Sequence, residues 1–162
     1  MGLSNLGAFH TVIGIVAIVV AVIAFIRNGK IDLSQLTGRI YFYCTLVASL
    51  TALGLSKQGG FNPGHIFALF IVVLITAAYF LYAKKQGNNG YRLLENLFLS
   101  FSFFLSLVPT VNETFTRVPV GRPLAQGPAD PLIGKTLLVL FLLFIVGAVY
   151  QFRKQKKLNK SA

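Results

Sequence analysis

Long apolar stretches alternate with short polar segments along the whole chain. Several of these stretches extend over roughly 17 to 22 residues without an ionised side chain. A helix rises about 1.5 Å per residue, so stretches of this length can cross a hydrocarbon core of about 30 Å. The pattern predicts about five transmembrane helices, at residues 6–26, 40–55, 64–82, 93–111 and 132–152.

Local signals mark some of the predicted helix ends. Ser4 can cap the first helix. Asn62 can cap the third helix, and Pro63 then takes its first helical position. Residues 87–90 form a turn-rich link between the third and fourth helices. Pro109 lies inside the fourth helix, where we expect it to bend the axis.

Composition supports a membrane protein. The 162 residues are 55% hydrophobic and 12% charged, with a mean hydropathy of +0.72. Soluble domains carry about 25% charged residues. Helices of a soluble protein would also need polar faces that meet water, and such faces are lacking. We therefore predict an all-α integral membrane helical bundle.

The basic residues indicate an orientation. The chain has 15 lysines and arginines and four acidic residues, which gives a net charge of +11. The basic residues lie at helix ends and in the C-terminal tail, so they indicate topology and lipid contact, not nucleic acid. Of 15 lysines and arginines, 11 fall on one predicted side, and four fall on the other: Lys57, Arg117, Arg122 and Lys135. Because basic residues are retained in the cytoplasm, we predict an external N-terminus and a cytoplasmic C-terminus in a plasma (inner) membrane.

The tyrosines agree with this topology. All six fall at predicted inner helix ends, where a ring can be buried while its hydroxyl meets water: Tyr41, Tyr43, Tyr79, Tyr82, Tyr91 and Tyr150.

Small residues predict how the helices pack. The second helix carries Cys44, Ala48 and Ala52 every four residues, and the fourth carries Ser102 and Ser106 on one face. The fifth helix is almost wholly aliphatic and phenylalanine at its centre. We expect a four-helix core with a more peripheral C-terminal helix, forming one domain over residues 1–152 and a basic cytoplasmic tail over 153–162.

Both histidines of the chain are predicted at the outer ends of helices. His10 lies about one turn inside the first helix and His65 opens the third, while Asn112 and Glu113 end the fourth. In the simplest interpretation, these polar residues bond to one another, to a loop or to water near the interface.

Two further interpretations assign the histidines a ligand. His10 and His65 could be axial ligands of one haem b, with Gly14 admitting the flat macrocycle and quinone as electron-transfer partner. Alternatively, His10, His65 and Glu113 could bind a divalent metal such as zinc, with an open position for water. The sequence leaves these interpretations open.

The link 112–131 is the longest connection between predicted helices. It carries Arg117, Arg122 and Asp130 among prolines and glycines. It could fold over the outer helix ends as a lid whose two arginines bind an anionic lipid head group. The alternative is a solvated connector.

Several short motifs resemble a family of small bacterial multi-pass membrane proteins. They are Phe9-His10, the stretch from Leu36 to Tyr41 (Leu-Thr-Gly-Arg-Ile-Tyr), the run Asn-Glu-Thr-Phe-Thr-Arg-Val-Pro at 112–119, and the proline-rich stretch at 123–131. The resemblance implies a bacterial source, and it implies no particular activity. Family members often carry a further histidine before the Gly-Arg-x-Tyr stretch, whereas residues 33–37 have none, which disfavours several haems.

Three functions from different classes stay open at the level of sequence. No serine, cysteine or lysine has a nucleophile arrangement, and there is no glycine-rich phosphate motif, so no enzyme is indicated. The hypotheses are a protein with an outer-face metal or haem, an accessory subunit that binds other membrane proteins, and a lipid-binding or transporter-like protein that uses the outer loop.

Overall fold

A computed structural model describes residues 4–55, 60–84 and 89–160, with side chains up to residue 157. Lys57 and Lys85, which enter the charge distribution, and part of the predicted link 87–90 lie outside the described residues. The described chain forms five helices and no strand: α1 (Asn5–Asn28), α2 (Leu36–Ala52), α3 (Pro63–Lys84), α4 (Asn89–Arg117) and α5 (Pro131–Lys160).

This architecture confirms the predicted all-α bundle. Helices α1, α3, α4 and α5 are long and apolar enough to cross a membrane, and the chain is therefore a membrane protein. Helix α2 has 17 residues, which corresponds to about 26 Å. It begins four residues before the predicted position 40. The residue types of Gly38 and Arg39 suggest a connector, but both residues belong to the first turn of this helix.

Helices α1 to α4 form the core and α5 packs on the outside of α4. Within the described chain, α1 packs on α2, α2 on α3 and α3 on α4, while α1 touches α4 only lightly. The core contains small residues of α1 and larger aliphatic residues of α3 and α4: Ala17, Ala21, Ala24, Ile71, Leu74, Ile75 and Leu99. Only 6% of the apolar stretch of α5 is buried, so the prediction of a peripheral C-terminal helix is confirmed.

The bundle has a basic end and a histidine end. The basic end contains the C-terminal ends of α1, α3 and α5 and carries Arg27, Lys30 and Arg39. The histidine end contains the beginnings of α1 and α3, with His10 and His65. Helix α5 extends beyond the predicted position 152 to Lys160, so the tail continues it as a helix.

Side chains and backbone conformation define the helix ends. The Ser4 hydroxyl accepts a hydrogen bond from the Gly7 amide at 3.1 Å and caps α1. Gly29 ends α1 with φ of 72°, a left-handed conformation that favours glycine. Asp130 accepts from the Leu132 amide at 2.9 Å and caps α5. Hydrogen bonds from the Leu132 and Gln126 amides lower the pKa of Asp130.

Candidate functional site

His10 binds the last turn of α2. Its Nδ1 atom lies 2.9 Å from the carbonyl oxygen of Ala48 and 3.2 Å from the Thr51 hydroxyl. The Thr51 hydroxyl itself donates to backbone carbonyls of α2, so it accepts from the imidazole. Nδ1 therefore carries the proton that is donated to Ala48. Within the described chain, Nε2 of His10 makes no hydrogen bond.

His65 is buried and uses both ring nitrogens. Nε2 lies 3.3 Å from the carbonyl oxygen of Leu55, just beyond α2, and Nδ1 accepts from the Asn62 amide at 3.3 Å. Phe61 packs against the ring, with centroids 5.4 Å apart. With one ring nitrogen donating and the other accepting, the neutral imidazole has no lone pair left for a metal.

The structure does not place Glu113 with the histidines. Its carboxylate pairs with Arg117, four residues further along the exposed last turn of α4. Among the described residues, no three side chains of histidine, cysteine, aspartate or glutamate come together as metal ligands. The described residues therefore do not bring His10, His65 and Glu113 together, and the zinc site stays a prediction.

The residues predicted to hold a haem do not fit one. Between the described parts of α1 and α3 there is no close backbone contact. A side chain added at Gly14 would meet no atom within 4 Å, so there is space at this position. His65, however, has no ring nitrogen free to act as the second axial ligand. The two histidines instead bind carbonyl oxygens in the last turns of α2 and just beyond it.

The predicted anion site at the outer loop is only partly formed. Arg117 is neutralised by Glu113, while Arg122 is exposed. The loop folds back on the end of α4, where the Ala125 amide donates to the Phe115 carbonyl at 2.9 Å and the Ala125 side chain is buried. The loop is thus an ordered connector of α4 and α5.

The Gly-Arg-x-Tyr stretch builds the basic end of the bundle. Gly38 passes so close to the preceding loop that an added Cβ would lie 2.0 Å from the Asp32 carbonyl oxygen. Arg39 donates through Nε to the Leu33 carbonyl at 3.2 Å and through Nη2 to the Ser34 carbonyl at 3.4 Å. These contacts hold the loop against the start of α2.

Asp32 stabilises the same loop from within. Its carboxylate accepts hydrogen bonds from the amide and hydroxyl of Ser34 at 2.9 and 2.7 Å, and it pairs with Lys30 at 3.3 Å. Burial acts to raise the pKa of Asp32, but the bonds from Ser34 and the charge of Lys30 outweigh it and lower that pKa. The carboxylate is consequently charged at neutral pH.

An aromatic cleft opens at the basic end between this loop, α2 and α3. Its cavity volume is about 280 Å³, and its lining combines one guanidinium with aromatic rings: Leu33, Arg39, Phe42, Tyr43, Tyr79 and Tyr82. Phe42 stacks on Tyr79 with centroids 5.3 Å apart. Sequence reasoning placed the tyrosines at this level without predicting that they share a cleft with Arg39.

Tyr41 departs from the predicted interfacial role. Its side chain is 1% exposed, and its hydroxyl lies 2.8 Å from the Ser102 hydroxyl inside the bundle. It belongs to a set of buried polar residues on α2, α4 and α5: Thr45, Ser49, Glu95, Asn96, Ser100, Gln151 and Gln155. Except for Glu95, these residues recur at a spacing of four within apolar helices, and that spacing is the signal in the sequence.

Part of this set joins α5 to α4. The Ser100 hydroxyl donates to Gln151 at 3.0 Å, and Gln155, one turn further along α5, is also buried. On the apolar side of the same interface, Phe104 packs against Phe141 and Phe144. Hydrogen bonds between polar side chains are a usual means of fixing helices in a membrane.

Comparison with protein-family models, curated proteins and solved structures gave no match. The resemblance based on short motifs stays a prediction.

Proposed function

We propose that this protein binds an anionic lipid head group in the aromatic cleft, in the cytoplasmic leaflet of a bacterial inner membrane. The observation that carries the proposal is the presence of Arg39 in the cleft among Phe42, Tyr43, Tyr79 and Tyr82. The excess of basic residues on the same side supports a cytoplasmic position.

The chemistry of the cleft suits a phospholipid. Arg39 donates two of the five N–H groups of a guanidinium to the loop, which leaves three for a phosphate. The tyrosine rings present both an apolar surface for the glycerol and upper acyl chain and hydroxyls for the head group. Lys84 adds positive charge at the same end of the bundle, which favours anionic lipids of the inner leaflet.

This proposal replaces the outer loop as the lipid site, because Arg117 is already paired. Arg122 is exposed on the loop and offers a direct comparison. The function as an accessory subunit of a membrane complex stays a prediction from sequence, as does a quinone partner.

Lipid retention through purification tests the proposal. The protein is extracted in a mild detergent from membranes that contain phosphatidylglycerol, and bound lipid is counted by native mass spectrometry. We expect retained phosphatidylglycerol in the wild-type protein and in Arg122→Gln, and its loss in Arg39→Lys, which keeps the charge but loses the planar fork. Tyr79→Leu, which leaves the loop contacts of Arg39 intact, should weaken retention as well.

Two results would contradict the proposal. Equal retention in Arg39→Lys, Tyr79→Leu and the wild-type protein would exclude the cleft. Loss of bound phosphatidylglycerol in Arg122→Gln alone would indicate that the lipid binds at the outer loop.

A further inference from the structure

Hydroxyl groups follow the buried face of α2. Tyr41, Thr45 and Ser49 are spaced by four residues, so they share one face of the helix, and their exposed fractions are 1%, 3% and 6%. The opposite face of α2 carries exposed Leu50 and Val47. The short helix therefore directs its polar face into the bundle and its apolar face outward.

Helix α4 carries a matching set at the same spacing. Ser102, Ser106 and Thr110 each donate to a carbonyl three or four residues earlier in α4, at 2.7 to 2.9 Å. Each hydroxyl oxygen consequently keeps its acceptor capacity. Together with Tyr41, Thr45 and Ser49 these residues are called the hydroxyl row.

Tyr41 connects the two halves of the hydroxyl row. Because the Ser102 proton goes to the Leu99 carbonyl, the Tyr41 phenol donates to Ser102. Thr45 and Ser106 lie one turn further along α2 and α4. The Thr45 hydroxyl is buried yet makes no hydrogen bond to any described part of the protein. A buried hydroxyl of this kind requires a partner such as water.

Titratable groups stand at both ends of the hydroxyl row. At the basic end, Glu95 lies two turns before Ser102 on the same face of α4 and is 2% exposed. At the histidine end, His10 bonds α2 at Ala48 and Thr51, the level of Ser49. Carboxylate and imidazole groups are those from which proton relays in membranes are built.

We propose that the hydroxyl row conducts protons between His10 and Glu95, with water as the partner of Thr45. A hydroxyl can accept one proton while it donates another, so a proton that enters at His10 is balanced by one that leaves at Glu95. No bond other than O–H and N–H bonds changes, and the transmembrane proton gradient supplies the driving force.

Proton flux in proteoliposomes tests this proposal. The vesicles enclose a pH-sensitive dye, a potassium diffusion potential set with valinomycin drives protons inward, and the rate of internal acidification is measured. We expect the wild-type protein to exceed protein-free vesicles. Thr45→Val removes the hydroxyl at nearly constant volume and should reduce the rate to that of protein-free vesicles.

Thr136→Val is the matched control, because the Thr136 hydroxyl bonds only to its own helix, α5. It should conduct like the wild-type protein. Tyr41→Phe, which keeps the buried ring, serves as the second variant and should also lose conduction. Thermal melting and size-exclusion profiles in detergent establish that each variant is folded.

Three results would overturn the proposal: wild-type flux no faster than in protein-free vesicles, wild-type flux in a folded Thr45→Val or Tyr41→Phe variant, or equal loss in Thr136→Val. In the first case, the buried hydroxyls only hold structural water. Because Arg39 and Tyr79 lie outside the hydroxyl row, failure here would leave the lipid proposal standing.

Discussion

At the residue scale, Gly38 determines how closely α2 can approach the loop before it. Its Cα faces the Asp32 carbonyl, and Arg39 beside it donates to the next two carbonyls of the loop. The loop contributes Leu33 to the aromatic cleft. A glycine next to an arginine thus positions one wall of the proposed lipid site.

Gly38→Ala should therefore destabilise the protein. Its Cβ would lie 2.0 Å from a backbone oxygen, which cannot move aside as a flexible side chain can. We expect a loss of about 1 to 3 kcal/mol in the free energy of unfolding, measured by titration from a mild detergent into a denaturing one. Gly147→Ala, where a Cβ meets no atom within 4 Å, is the control and should gain up to about 1 kcal/mol of helix stability. Equal stability of the two variants would contradict the close approach.

At the element scale, α2 differs from the other helices because it is short and buries its polar face. Its last carbonyls accept bonds from the turn that follows it, where the Leu53 and Gly54 amides donate to Leu50 and Thr51. His10 adds a bond from α1 to Ala48, and His65 adds one from α3 to Leu55. The two histidines of the chain thus connect neighbouring helices to the last turns of α2 and to the turn that follows it.

This interhelical contact predicts a structural effect for His10→Leu. Loss of the bond to Ala48 should lower the free energy of unfolding by about 1 kcal/mol. Thr11→Val is the control, because its hydroxyl bonds only to Gly7 in the same helix. The absorption spectrum of the purified protein should be equally flat in the visible range before and after the substitution. A Soret band that His10→Leu removes would contradict this role.

The helices could be predicted from sequence because length and apolar content decide whether a segment spans a membrane. The sequence could not predict which face of each helix contacts its neighbours, because lipid and protein interior are equally apolar. Tyr41 illustrates the consequence: at an interfacial position it would be an anchor, and its contact with Ser102 depends on the packing of α2 and α4. The level of His10 and His65 was predictable, whereas their carbonyl partners depend on where α2 ends.

At the scale of the whole molecule, charge and cavity are distributed unevenly between the two ends of the bundle. The basic end carries the aromatic cleft and a salt bridge of Lys30 with Asp32, and the Lys154 ammonium there donates to the Asn28 carbonyl at the end of α1 at 3.2 Å. This last contact ties the peripheral α5 to the core. The lipid proposal therefore depends on which leaflet the basic end occupies, whereas proton conduction through the hydroxyl row works in either orientation.

Cysteine labelling in intact cells tests the orientation. In a Cys44→Ser background, Arg122→Cys and Lys156→Cys place single thiols at exposed positions on opposite ends of the bundle. A membrane-impermeant maleimide should label Arg122→Cys directly and Lys156→Cys only after permeabilisation, because basic segments are retained in the cytoplasm. The reverse pattern would place the aromatic cleft in the outer leaflet, and Arg39 would then meet a different lipid population. Lipid retention in detergent does not depend on the orientation of the protein in the membrane. Measured on the same protein, it would distinguish a cleft that lies in the other leaflet from a cleft that binds no lipid.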